Sequence, residues 1–147
     1  MSSGATELGE LLVAAYRAFT QQGRTRFGEH GLSPARVRLL TTLHHRPGSR
    51  MRDLADVLGV SGRAITPLVD ALESDGLITR KPDPGDRRAF RLTLTDTGLS
   101  AIDQIARLQQ QISEDIFSGM SAEDRSDLAR LLQAFLDTTH GPGCAPV

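Results

Sequence analysis

The side chains best suited to chemistry lie in two short stretches. In "PDPGDRRAF", residues 82–90, Asp86, Arg87 and Arg88 follow a turn shaped by Pro82, Pro84 and Gly85. In "SGRAITPLVDALESDG", residues 61–76, Ser61, Arg63 and Thr66 gather at the start of a helical pattern. Guanidinium groups grip planar oxyanions through parallel N–H donors, and hydroxyls add short-range donors and acceptors. That inventory suits holding a polyanion. It lacks the nucleophile–base set, Gly-rich phosphate loop or paired carboxylates that turnover requires, so no enzyme activity and no cofactor are expected. His44 and His45 are sequence neighbours whose directions on a helix differ by about 100°, which suits one shared metal ion poorly. No metal site is expected.

The charge distribution supports the same reading. Of the 17 Lys and Arg residues, eleven fall between positions 36 and 91, against seven of the 18 acids. The chain is therefore basic in its middle and acidic at its ends, although its formal net charge is only −1. Such polarity can present one positive face to a polyanion. Trp is absent and aromatics make up 4% of residues, which argues against a base-stacking platform. Cys144, the single cysteine, stands in the tail "GPGCAPV", so neither a disulfide framework nor a Cys/His metal set is expected. The start "MSSGATELGE" has no apolar run of signal-peptide length, and no stretch approaches the roughly 20 apolar residues that cross a bilayer. A cytoplasmic protein without a membrane partner is expected.

At 147 residues one domain with helical extensions is predicted. Leu8, Leu11, Leu12, Ala15 and Phe19 give a first helix from about Glu7 to Phe27. Ser33 as N-cap and Pro34 at N1 open a second, with Val37, Leu39, Leu40 and Leu43 inward. "MRDLADVLGVS" reads as a short third helix stopped by Gly59. Ile65, Leu68, Val69 and Leu72 form the buried row of a fourth, between Ser61 and Asp75. Phe90, Leu92 and Leu94 then alternate with Arg91 and Thr93, which predicts a half-buried hairpin. A fifth helix, Thr95 to about Phe117, carries Leu99, Ile102, Ile105, Ala106, Gln109, Ile112 and Ile116 along its stripe. A sixth opens at Ser121, where Asp124 completes a capping-box-like pair, and carries Leu128, Leu131, Leu132, Phe135 and Leu136. The fold class is mainly α with a small β-hairpin.

Two short helices joined by "GVS" and followed by a hairpin describe a winged helix-turn-helix, whose second helix enters the major groove of DNA while the hairpin tip reaches the adjacent minor groove. The block "SRMRDLADVLGVSGRAITPLVDALESDGLITRKPDPGDRRAFRLTLTDTG" resembles the core of the MarR family of bacterial and archaeal transcription regulators, most specifically in the wing "DPGDRRAFRLTLTDTG". The resemblance implies a homodimeric, sequence-specific DNA-binding regulator on a pseudo-palindromic operator, most simply a repressor. It implies a lobe at residues 33–95, dimerisation helices within 1–32 and 96–140, and a flexible tail at 141–147. It also implies a small-molecule effector of phenolic or aromatic-acid type, for which Tyr16, Arg17, His44 and His45 are the residues singled out. The family's redox-sensing members use a cysteine near the first helix, where this chain has none. A winged-helix module that binds protein without DNA is the competing class, and a steep salt dependence of DNA affinity separates the two.

Position assigns the contacts: Ser61, Arg63 and Thr66 in the major groove, Arg88 in the minor groove and Arg87 near phosphate. Asp86 is expected to orient Arg88 through a charge-assisted hydrogen bond, because an unpaired acid near phosphate is repulsive. Arg50, Arg52, Arg80 and Lys81 are secondary candidates for phosphate. Pro67 and Ala71 stand where relatives often carry basic residues. The proline is expected either to distort the first turn of the helix or to restart it with Thr66 as cap.

Overall fold

In the computed structural model, residues 4–139 are described. They form α1 (Ala5–Glu29), α2 (Pro34–His45), β1 (Ser49–Arg50), α3 (Met51–Leu58), α4 (Gly62–Ser74), β2 (Ile78–Asp83), β3 (Asp86–Leu94), α5 (Asp96–Ile116) and α6 (Ala122–Thr139). Two compact units divide within α5, one ending at Ile112 and the other beginning at Ser113. Cys144 and the 141–147 tail lie outside the described residues.

The first unit holds the core, which is built by the predicted periodicities. Leu39, Leu40 and Leu43 of α2 meet Leu54, Ala55 and Leu58 of α3 and Ile65, Val69 and Leu72 of α4. Ile78 of β2, Leu92 of β3, and Ile105 and Leu108 of α5 close the cluster. The caps work as the residue types require. Ser33 Oγ accepts from Arg36 N at 3.3 Å and Pro34 takes the first turn of α2. Between α3 and α4, Gly59 adopts φ 66°, a left-handed conformation that costs a side chain with a Cβ, and Ser61 Oγ accepts from Ala64 N at 3.1 Å. That tight turn sets the start of α4 directly behind α3.

The sheet has order β1-β3-β2, all antiparallel. β1 was not expected. It has only two residues, whose pairing of Ser49 with Leu92 and Arg50 with Arg91 is wholly tertiary, so no local pattern announces it. Phe90 also departs from the alternation: it is 44% exposed, because the hairpin runs past the end of the core before reaching that position. On α5 the buried line is Ile105, Leu108 and Ile112, while Leu99, Ala106 and Gln109 are exposed, so the stripe is narrower than expected and turned toward Leu108.

The second unit is α6 with the end of α5. Ser121 Oγ accepts from Asp124 N at 3.0 Å and donates to Asp124 Oδ2 at 2.8 Å, closing the cap. Leu131, Leu132, Phe135 and Leu136 are all exposed, and α6 buries no residue. In the first unit α1 likewise buries none, with Leu8, Leu11, Tyr16 and Phe19 open to solvent.

One knot ties the hairpin to the helices on either side of it. Thr95 Oγ1 donates to the Gly76 carbonyl at 2.5 Å and accepts from Gly98 N at 3.0 Å, while Thr95 N donates to the Leu77 carbonyl at 3.0 Å. A Cβ on Gly98 would lie 2.0 Å from the Leu77 carbonyl oxygen, and backbone cannot move aside as a flexible side chain does. Gly98→Ala is therefore expected to destabilise the fold by about 1–3 kcal/mol or more, in spite of alanine's better helix propensity. Urea unfolding measures it; a neutral or stabilising result would show that the approach relaxes freely.

Candidate nucleic-acid interface

The outward face of α4 is small and sparsely charged. Ser61, Gly62, Arg63, Thr66, Pro67 and Asp70 are all exposed, while Ile65, Val69 and Leu72 point inward. α4 is one continuous helix through Pro67, with Ser61 as its cap, so the helix does not restart at Thr66. Instead Thr66 Oγ1 donates to the Gly62 carbonyl at 2.8 Å. A proline in the second turn loses only one ladder bond, and packing of Ile65, Val69 and Leu72 holds the rest of the helix in place.

At the other end of the lobe, Pro84 and Gly85 connect β2 to β3, with Asp83 paired to Asp86. Asp83, a residue the sequence reading passed over, organises this tip. Its carboxylate side chain is 1% exposed, accepts from Gly85 N at 2.8 Å, and receives Arg50 Nε at 2.6 Å and Arg91 Nε at 3.2 Å. It thus joins all three strands. The Gly85 N–H bond, opposed by burial and helped by Arg50 and Arg91, holds the Asp83 carboxyl below the usual carboxylate range. An Asp opening a Pro-Gly turn is a recognisable signal for a side-chain-to-backbone bond, but its arginine partners are set by the sheet register.

Asp86 acts differently from expectation. Its Oδ1 accepts from the backbone N–H of Arg88 at 2.9 Å, so it fixes the chain at Arg88 and leaves the guanidinium unbound. Arg87 and Arg88 are exposed, and among the described residues neither has a carboxylate within ion-pairing range; the same holds for Arg63. Neighbours on a strand point to opposite faces, so the two wing arginines serve separate surfaces.

Two of the secondary phosphate candidates are committed internally. Arg50 belongs to Asp83, and Arg80 of β2 clamps the wing to α4 by reaching Asp70 and, at 3.6 Å, Glu73. Arg36 pairs with Asp75 at 2.7 Å. These bonds neutralise acids beside the basic face and leave Arg52, Lys81, Arg63, Arg87 and Arg88 to project outward. Arg46, Ser49, Asp53, Leu54, Asp56 and Val57 line a cleft of about 360 Å³ beside α3.

None of the four effector candidates lines that cleft. Tyr16 is 68% exposed on α1, and Arg17 borders a shallow recess formed by α1 alone. His44 and His45 are exposed at the end of α2, their ring centroids 5.6 Å apart and tilted by 60°. Among the described residues no group of three or more His, Cys, Asp or Glu is placed to hold a metal ion, and no helix is long and apolar enough to cross a membrane.

The model of the MarR family matches residues 32–90, from the entry to α2 through the wing. A putative transcriptional regulatory protein for the hcr operon of Thauera aromatica is 32% identical over 132 residues, covering 89% of this chain and 80% of that one. The chain belongs to the MarR family. The transcriptional regulator Tm0710 of Thermotoga maritima superposes with a TM-score of 0.72 at 28% identity, over 90% of this chain and 94% of that one. The transcriptional repressor CouR, bound to a 23-mer DNA duplex, does so at 0.69 and 26% identity, over 92% and 99%. As a MarR-family protein the chain is a DNA-binding transcriptional regulator and not an enzyme, which sets aside the module that binds only protein. In the winged-helix fold shared with these structures, α4 is the second helix of the helix-turn-helix and the β2–β3 hairpin is the wing.

Because the folded-state pKa of Asp83 is depressed, its contribution to stability is fully present above the unfolded value of about 3.9 and is lost as pH falls through the folded value. Asp83→Asn should therefore melt below the parent at pH 7, and the gap should narrow as pH falls from 5 toward 3. A gap that stays constant over that range would show that the carboxylate charge does not hold the wing.

Proposed function

We propose that the chain is a homodimeric repressor that grips a pseudo-palindromic operator and is released by a small aromatic or phenolic acid. The observation that carries the DNA geometry is the set of unpaired guanidinium groups, Arg63 on α4 and Arg87 and Arg88 on the wing, left projecting while neighbouring acids are neutralised internally. Ser61, Arg63 and Thr66 meet the major groove, where the first N–H groups of α4 also face phosphate. Arg88 enters the minor groove and Arg87 meets the backbone. Asp86 preorganises this contact by fixing the Arg88 backbone rather than its head group. CouR, a repressor whose DNA complex has the same fold, supports the repressor assignment.

The dimer reading rests on α1 and α6, each of which presents large apolar side chains to solvent. Water-exposed stripes of that kind gain by burial against a second copy, and a two-fold assembly makes each contact twice. Residues 1–32 and 96–140 are the proposed dimerisation region and 33–95 the DNA-binding lobe. Two lobes then meet half-sites about 34–36 Å apart. A ligand that binds better to another lobe spacing lowers operator affinity by that preference. Tyr16, Arg17, His44 and His45 offer the aromatic and cationic chemistry that an aromatic acid would need.

Arg88→Ala should weaken operator binding by about 1–3 kcal/mol, and Arg87→Ala should reduce the slope of log affinity against log salt by about one. Unchanged affinity for the Arg88 variant at matched salt would remove the wing from the interface. Sedimentation at micromolar concentration should show a dimer, and Leu132→Glu on α6 should shift it toward monomer. A monomeric parent protein would overturn the two-fold model.

A further inference from the structure

On the reading of α4 as recognition helix, we infer that Pro67 is a specificity-determining residue that reads the C5 methyl group of a thymine beside a guanine held by Arg63. Residues 63 and 67 lie one helical turn apart on the same outward face, and both are exposed. Few donors remain on that face. Gly62 has no side chain, the Thr66 hydroxyl gives its proton to the Gly62 carbonyl and is left only as an acceptor, and Pro67 has no N–H. Asp70, one turn further, is held by Arg80. Of these positions Arg63 alone offers an unpaired charged donor, matched in geometry to the O6 and N7 of guanine. The pyrrolidine ring beside it is rigid and apolar, with no polar atom to leave unsatisfied when water is expelled. In the major groove the apolar feature is the thymine methyl, which cytosine, adenine and guanine lack. One helical turn of about 5.4 Å against about 3.4 Å per base pair puts that thymine one to two base pairs from the guanine. The absence of a cation at position 67 is thus a change in what is read and not only a loss of affinity.

Selection of duplexes from a random-sequence pool by the full-length protein gives the half-site. Each thymine is then replaced singly by deoxyuridine, which removes the methyl alone, and affinity is measured at fixed salt. One thymine, about two base pairs or fewer from the guanine whose contact is lost in Arg63→Ala, should weaken binding about four-fold. In Pro67→Ala that penalty should shrink to about two-fold or less, with binding itself retained. In Pro67→Asn the pool should shift from thymine toward adenine, which asparagine pairs through N6 and N7. A parent protein indifferent to every replacement overturns the methyl reading while leaving DNA binding intact, as does Pro67→Ala with the full penalty. A pool that enriches nothing overturns the role of α4 itself, and that of Pro67 with it.

Discussion

The backbone of Leu77 and the missing side chain of Gly98 meet so closely that α5 can begin only where the wing begins. Around this contact Thr95 satisfies the Gly76 carbonyl, the Leu77 carbonyl and the Gly98 N–H, so three elements that end or start here leave few orphaned polar groups. The end of α4, the base of the hairpin and the first turn of α5 are therefore tied together at one point. A loose hinge between α4 and the hairpin would instead let the two elements sample many relative geometries.

The far end of the wing is fixed by charge rather than by close packing. Asp83 gathers Arg50 and Arg91 from the two other strands and takes the turn's own N–H, so the tip is braced from inside while its outer arginines stay unencumbered. Arg80 plays the matching part toward α4 through Asp70 and Glu73. The basic middle segment thus divides into arginines that build the lobe and arginines that project from it. Sequence counts cannot separate these groups, because both carry the same charge and differ only in which acids the fold brings near.

The recognition helix shows how a sequence rule and a structure can disagree. An interior proline argues for a break, yet α4 continues, since the loss of a single ladder bond is outweighed by the burial of Ile65, Val69 and Leu72. What the proline changes is the outer surface of α4, which becomes apolar and poor in donors there. Asp86 shows the reverse case, in which the expected partner was right and the bonding atom was not: Arg88 is engaged through its backbone.

By itself the sequence determined what depends on neighbours along the chain. The caps at Ser33 and Ser121, the left-handed stop at Gly59, the inward rows of α2, α3 and α4, and the wing turn are all short-range, and each was legible from residue type and spacing. Only the tertiary structure decided β1, the exposure of Phe90, the shift of the α5 line to Leu108, and the commitment of Arg50, Arg80 and Arg91 to buried or neighbouring acids. Those outcomes depend on register and on distances between residues far apart in the chain. Coulomb attraction and close packing act through space, and no local periodicity records which distant groups the fold will bring together.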